Sequence, residues 1–321
     1  MLTKLFLFYL LNQTSYFAPS ISSPALNSKT FLVKTDKDSI RSRIEYINSK
    51  TPFQIDYTPL LEEAIINHLE NRQATYLELY SKSDYFFPIF ENALQKYNVP
   101  LELKYLPVVE SALNPRAKSR VGATGLWQFM FNTAKDLGLK VNSYVDERMD
   151  PVKSSEAAAK YLSELYIRFN DWNLAIAAYN YGPGNIKRAI KASGYSNFWN
   201  LRGYLPKETA NYVPSFIATL YLFEFANKHE IKIKNNETMF VQTDSILIKK
   251  MVSFSHISEQ INIPEETLSF LNPSYIHSII PSIKNKQYYL TLPQTHTGLF
   301  IDKEVEIYAM ANLEYNSREK P

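Results

Sequence analysis

Glu110 occupies a position where the surrounding pattern expects an aliphatic side chain. Read as a helix, Leu101–Leu113 places Leu103, Leu106, Glu110 and Leu113 at i, i+3, i+7 and i+10, which is one face. A carboxylate on an apolar face is costly unless paired, and burial raises its pKa. A carboxyl group that stays protonated near neutral pH can serve as a general acid. The same residue can instead be a structural glutamate bonded to an arginine or to backbone amides, and the segment alone does not choose.

A second pattern follows shortly: Gly122–Ala123–Thr124–Gly125–Leu126–Trp127–Gln128. Such glycines permit positive φ or the close approach of a ligand to the backbone. Further on, Asn180 follows Tyr179 at the end of an apolar helical run, just before Gly182–Pro183–Gly184. Amides and tyrosines at helix ends supply both donors and acceptors, as a groove for N-acetyl groups and hydroxyls requires. Taken singly, helix capping accounts for Asn180 and turn chemistry for the glycines.

Other chemistries are set aside by composition. The 321 residues contain no cysteine, so disulfides, thiolate metal sites, cysteine nucleophiles and a lipid-modified cysteine are excluded. The five histidines (68, 229, 256, 277 and 296) have no paired spacing, and neither a metal nor another cofactor is expected. A net charge of +3, from 35 basic and 32 acidic residues, is too balanced to argue for nucleic acid. Asp136, Glu147, Asp150, Glu156 and Asp171 read as helix-start or exposed carboxylates, which helix electrostatics explains.

The elements that must position these residues read as follows. Met1–Lys4 and the apolar run Leu5–Leu11 outline a secretory signal within residues 1–20. Residues 21–56 are polar and without sustained period, and read as a linker or arm. Residues 57–228 read as a helical lead-in and an all-α domain. In it, Pro88 begins a helix, Asp150–Pro151 begins another, and Gly182 ends the helix carrying Trp172, Ala175, Ile176 and Tyr179. A Lys- and Asn-rich linker over 228–238 precedes a small mixed α/β module at 239–295. That module has strands near Ile246–Ile248 and Tyr288–Leu292 and helices over Ser255–Gln260 and Pro264–Leu271. Residues 296–321 read as a tail.

Together the motifs resemble a known family. Glu110–Ser111–Ala112–Leu113–Asn114–Pro115, Ser119 and Gly122–Phe129 resemble the first two motifs of the soluble-lytic-transglycosylase-like family, a goose-lysozyme-like fold. Ala177–Gly184 resembles its third motif and Asn211–Tyr212–Val213–Pro214 its fourth, in the same order, within residues 86–226. Glu147–Arg148–Met149–Asp150–Pro151 and Asp171–Trp172 are similar to the membrane-bound lytic murein transglycosylase D subgroup. The C-terminal module resembles a LysM domain, with Ser245–Lys250 standing where Gly-Asp-Thr-Leu usually opens it.

The resemblance implies a mainly α protein: a lysozyme-like all-α catalytic domain followed by a small α/β LysM-like module. It implies cleavage of the MurNAc-β-1,4-GlcNAc bond of peptidoglycan with formation of 1,6-anhydroMurNAc. Glu110 would be the sole acid/base, and Ser119, Gln128, Tyr179, Asn180 and Tyr212 would bind substrate. Trp127, where much of the family has methionine, would pack in the core or line the groove. The partner is the peptidoglycan glycan strand, in the envelope (periplasm) of a Gram-negative-type bacterium, with peripheral association to that envelope. Two rivals remain: a hydrolytic muramidase of the same fold, and a non-catalytic peptidoglycan-binding protein.

Overall fold

A computed structural model describes residues 37–71, 73–229 and 242–318 of the chain. The expected signal segment, the first part of the arm and most of the 228–238 linker lie outside the described residues. Among the described residues, no helix is long and apolar enough to cross a membrane.

The chain is mainly α. Three helices lead in: α1 (Lys37–Lys50), α2 (Pro59–Asn71) and α3 (Gln73–Lys96). Helix α1 corrects the expectation of an arm in this region. Ile40, Ile44 and Ile47, at i, i+4 and i+7, bury a narrow stripe, and the remaining positions are polar enough to mask the period. Pro88 does not begin a helix but lies inside α3. An internal proline normally breaks a helix. Here Phe86, Phe90, Ala93 and Leu94, all buried around it, keep α3 continuous.

A 3₁₀ turn over Leu101–Tyr105 leads into α4 (Leu106–Ser111), followed by α5 (Phe131–Asp136), α6 (Pro151–Phe169) and α7 (Trp172–Tyr181). Then come α8 (Pro183–Ser193), α9 (Phe198–Leu201) and α10 (Lys207–Phe225). Asp150 caps α6, its carboxylate accepting from the amides of Val152 and Lys153, with Pro151 in the first turn. Asp171 caps α7 by accepting from Leu174 N.

Helices α7 and α10 form the centre of the domain. From Trp172 to Asn180 every residue is buried, and α10 is buried around most of its circumference. A helix that is apolar all round belongs in a core, so polar groups on either helix mostly find partners there; Asn173 Nδ2, for one, donates to Gln54 O at 2.7 Å. Pro214 lies inside α10 and cannot donate to the Ala210 carbonyl. Arg202 Nε donates to that carbonyl instead, at 2.9 Å.

After α10 the chain ends a 3₁₀ turn at His229. Arg43 of α1 donates to both Tyr221 Oη and His229 Nε2, each at 2.8 Å. Burial, and then the Arg43 charge, lowers the His229 pKa to about 4. The sign follows from linkage. The unfolded histidine, with an ordinary pKa near 6.5, binds its proton before the folded one does. Stability is therefore expected to fall as pH drops from about 6.5 to about 4, by on the order of 1–2 kcal/mol after allowing for solvent screening. Thermal melts of the wild type and His229→Gln across that window test it. The glutamine can accept from Arg43 but does not titrate, so its melting temperature should depend less on pH.

The C-terminal module begins with β1 (Thr243–Ile248), β2 (Val252–Ser253), α11 (Phe254–Ile261) and α12 (Glu265–Leu271). It continues with β3 (Ile279–Ile280), β4 (Tyr288–Pro293), α13 (Gln294–Asp302) and α14 (Glu304–Arg318). Strand β1 pairs antiparallel with β4, Ile246 opposite Leu290, and β2 pairs with β3. Asn272, buried after α12, bonds β4 in both directions through Thr291 N and Thr291 O. Helices α13 and α14 correct the expectation of a tail: Phe300, Ile307, Tyr308 and Ala311 belong to the module's core. Exposed Leu299, Ile301, Val305 and Leu313 on the same helices hide that stripe from a periodicity argument.

Candidate active site

The helix expected over Leu101–Leu113 is shorter and broken. Pro107 enters the first turn of α4, and the helix ends at Ser111. Ala112 and Leu113 both adopt left-handed φ, at 50° and 56°. Left-handed non-glycine residues are strained and tend to cluster at functional sites. The amides of Ala112 and Leu113 close the turn onto Val108 O and Pro107 O. Glu110 therefore lies in the last turn of a short helix whose exit is tightly bent.

Glu110 is only 6% exposed, and Leu103, Leu106 and Leu113 are fully buried. Tyr212 Oη on α10 donates to Glu110 Oε1 at 2.5 Å. Burial first, then the Glu110 charge and this hydrogen bond, push the Tyr212 phenol well above its ordinary pKa. Burial and then the Glu110 charge do the same to Tyr179. Both phenols thus stay protonated at neutral pH and act as donors. Tyr212→Phe leaves Glu110 Oε1 without this donor. Such a loss typically costs about 1–3 kcal/mol where the acceptor is buried. A lower melting temperature is expected together with a fall in turnover of about tenfold or more, if the carboxyl is left misoriented. Calorimetry and turnover measured on one preparation check both parts.

The glycine turn is held by its own side chains. Ser119 Oγ accepts from Ala123 N at 2.9 Å, and Gly122 and Gly125 have φ of 88° and 86°. Gln128 also has positive φ, at 48°. Its Nε2 donates to Gly125 O at 2.8 Å and to Ala117 O at 3.2 Å. With both amide hydrogens engaged, Gln128 can meet a ligand only as an acceptor. Trp127 packs in the core: it is fully buried, donates to Ser155 Oγ and meets Phe90 edge-on.

Two further bonds tie the central helices to this turn and to each other. Tyr179 Oη donates to Trp127 O at 2.6 Å. Asn180 Oδ1 accepts from Thr209 Oγ1 at 3.0 Å. The fold thus places Glu110 directly against Tyr212. Ser119 and Gln128 share one turn, which Tyr179 joins to α7. Ser119, Gln128 and Tyr179 bond backbone groups of the turn, and Asn180 bonds Thr209.

The roles of three polar residues at the site are not legible in the sequence. Thr209 has no signal beyond its place two residues before Asn211. Asp146 and Arg148 form a buried pair at 2.7 Å. Arg148 Nη1 also donates to Gly122 O and Phe129 O, at 3.0 and 3.2 Å. Glu147, expected to be exposed or helix-capping, is buried, accepting from Lys153 Nζ and Lys140 N. Asp136 closes α5 instead of opening a helix, and is exposed. Among the described residues, no group of three His, Cys, Asp or Glu side chains is arranged to hold a metal.

Residues 87–202 match the transglycosylase SLT domain family, and residues 242–309 match the LysM-like domain of lytic transglycosylase MltD. Membrane-bound lytic murein transglycosylase D of Escherichia coli (strain K12) is 38% identical over 149 residues, 45% of this chain and 32% of that protein. A putative tributyltin chloride resistance protein of Alteromonas sp. (strain M-1) is 36% identical over 119 residues, 37% of this chain and 57% of that protein. The matched region is thus about a third of the length of the first of these relatives and just over half of the second. Among solved structures, the 70 kDa soluble lytic transglycosylase of Escherichia coli superposes on 60% of this chain and 34% of its own. It does so with a TM-score of 0.40 and 23% identity.

Proposed function

We propose, from the premise that residues 87–202 belong to the transglycosylase SLT domain family and residues 242–309 to the MltD LysM-like family, that this protein is a peptidoglycan lytic transglycosylase. It cleaves between N-acetylmuramic acid and N-acetylglucosamine, with Glu110 as sole acid and base. The observation that carries the proposal is Glu110 itself. It is a buried carboxyl, oriented by a phenol from a central helix, at the end of a short helix with a strained exit.

In the first half of the reaction, protonated Glu110 donates to the glycosidic oxygen, and the muramic ring becomes oxocarbenium-like. In the second, the carboxylate takes the proton of the muramic C6 hydroxyl, whose oxygen bonds to C1. The products are a 1,6-anhydro sugar and a free 4-hydroxyl on N-acetylglucosamine, and no water is consumed. Glycosidases that hydrolyse usually flank the bond with two carboxylates. Among the described residues, the other carboxylates buried as deeply, Asp146 and Glu147, are engaged by Arg148 and Lys153, which favours the single-carboxyl route. Gln128, Asn180, Tyr179 and Ser119 line the substrate groove in this reading. Peptidoglycan places the working protein in the cell envelope, after export.

Product analysis decides between lyase and muramidase. Ring closure is intramolecular, with effective molarities that can reach on the order of 10⁵ M or more, so the hydroxyl can outcompete water. Muropeptides released from purified sacculi should end in 1,6-anhydro-N-acetylmuramic acid. They should be ~18 mass units lighter than hydrolytic products, the mass of the one water not added. Digestion in heavy-oxygen water should leave C1 unlabelled. Labelled reducing ends would establish the muramidase, and no release at all would favour a binding protein.

A further inference from the structure

We infer that the C-terminal module is a structural member of the substrate groove, acting through the segment Tyr144–Arg148, with Arg148 as the positioning residue. The inference rests on reading the Glu110 and Gln128 region as the glycan site. Segment 144–148 belongs to no helix or strand ladder, so its backbone groups need partners from elsewhere. Residues 140–142 supply some, through Asn142 N to Val145 O and Glu147 N to Lys140 O, and the module supplies others. Asp146 N donates to Ser274 O at 2.9 Å, Ile276 N donates to Tyr144 O at 3.0 Å, and Val145 bridges Tyr275. The Val145 side chain is buried in the module's own core, with Tyr275 and Ile280. Two contacts flank this seam. Arg116, just after the Glu110 motif, donates to Tyr275 O, and the Phe270 ring packs against Tyr85 and Phe86.

From the far end of the segment the restraint passes to the glycine turn. Asp146 fixes the Arg148 guanidinium through paired bonds from Nε and Nη2. The remaining Nη1 grips the carbonyls of Gly122 and Phe129, at the two ends of the turn that carries Gln128. The Arg148 carbonyl lies against the turn at Gly125, where no Cβ fits. A module hung on a flexible tether would raise local concentration on the glycan and leave the groove alone. This module instead completes a chain of contacts from Ser274 to the loop beside Gln128.

Amide hydrogen exchange on the full chain tests this without requiring activity. The variants are Ile276→Pro, which removes the N–H donated to Tyr144 O at an exposed side chain, and Arg148→Lys, which keeps the charge and loses the fork. Both should speed exchange at Thr124, Gln128 and Phe129, whose amides bond within the turn, by about tenfold or more, while the α10 amides keep wild-type rates. On a soluble glycan, Ile276→Pro should raise KM several-fold with kcat within about twofold, because Glu110 and Tyr212 sit on α4 and α10. If the turn amides exchange at the wild-type rate in either variant, the inference is overturned, whether or not residues 144–146 loosen. A wild-type protein inactive on peptidoglycan would sink the proposed function and leave the exchange result standing.

Discussion

Glu110→Gln is expected to abolish turnover and to leave the domain folded. The amide has the shape of the carboxylic acid, and its carbonyl oxygen can still accept from Tyr212 Oη. It cannot give a proton to the leaving oxygen or take one from the C6 hydroxyl. General acid–base catalysis typically contributes ~10²–10⁴-fold, and here one group serves both halves, so the loss should be at the upper end of that range or beyond. The melting temperature should move little, because the amide oxygen keeps the hydrogen bond from Tyr212. Two measurements on the same preparation separate the two meanings of a buried glutamate. Lost activity with an unchanged melt marks the acid/base. Near-wild-type activity rejects the assignment, and a collapsed melt with unchanged activity per folded molecule makes Glu110 structural.

What could be read in the sequence follows from which features are local. Asp150 with Pro151, Asp171 and Gly182 mark helix ends because a cap or a stop depends on neighbours a few residues away. The aliphatic setting of Glu110 was visible because Leu103, Leu106 and Leu113 are close in sequence. The break after Ser111 was not, since left-handed φ at Ala112 and Leu113 is imposed by the surrounding packing rather than by their own preference. Tyr212 carried no chemical signal of its own. It lies on an apolar helix distant in sequence from Glu110, and only the fold makes it a donor to that carboxyl.

The same division explains what the sequence leaves hidden. Helix α1 is amphipathic by three isoleucines in an otherwise polar run, too sparse for a periodicity argument. Arg148 looked like part of a subgroup motif with no role attached. Its work is tertiary, joining carbonyls on the glycine turn to a segment held by the module. Domain boundaries drawn from composition separated the module from the helical domain. The Val145 side chain, from one, sits in the core of the other.

The glycine turn offers the sharpest test of this packing, in a pair of substitutions. Gly125→Ala is expected to be severe and Gly122→Ala mild, although both glycines have φ near 90°. Each alanine adds the strain of a left-handed residue, on the order of 1–2 kcal/mol. A Cβ at Gly122 meets nothing within 4 Å. A Cβ at Gly125 would fall 1.8 Å from the Arg148 carbonyl oxygen and 2.6 Å from its carbon, both backbone atoms with no rotamer to change. Either the turn or the segment below it must shift, and overpacking of this kind typically costs a further ~1–3 kcal/mol. Together the two terms make about 2–5 kcal/mol for Gly125→Ala. At roughly 2–4 °C per kcal/mol for a domain of this size, the melting temperature should drop by on the order of 10 °C. The drop for Gly122→Ala should be a few degrees. Because Arg148 grips both ends of the turn, the folded fraction of Gly125→Ala should also bind glycan more weakly than that of Gly122→Ala. Equal melting temperatures for the two variants would mean that the backbone of residues 148–149 yields freely. The turn would then owe its shape to its own hydrogen bonds and not to the segment beneath it.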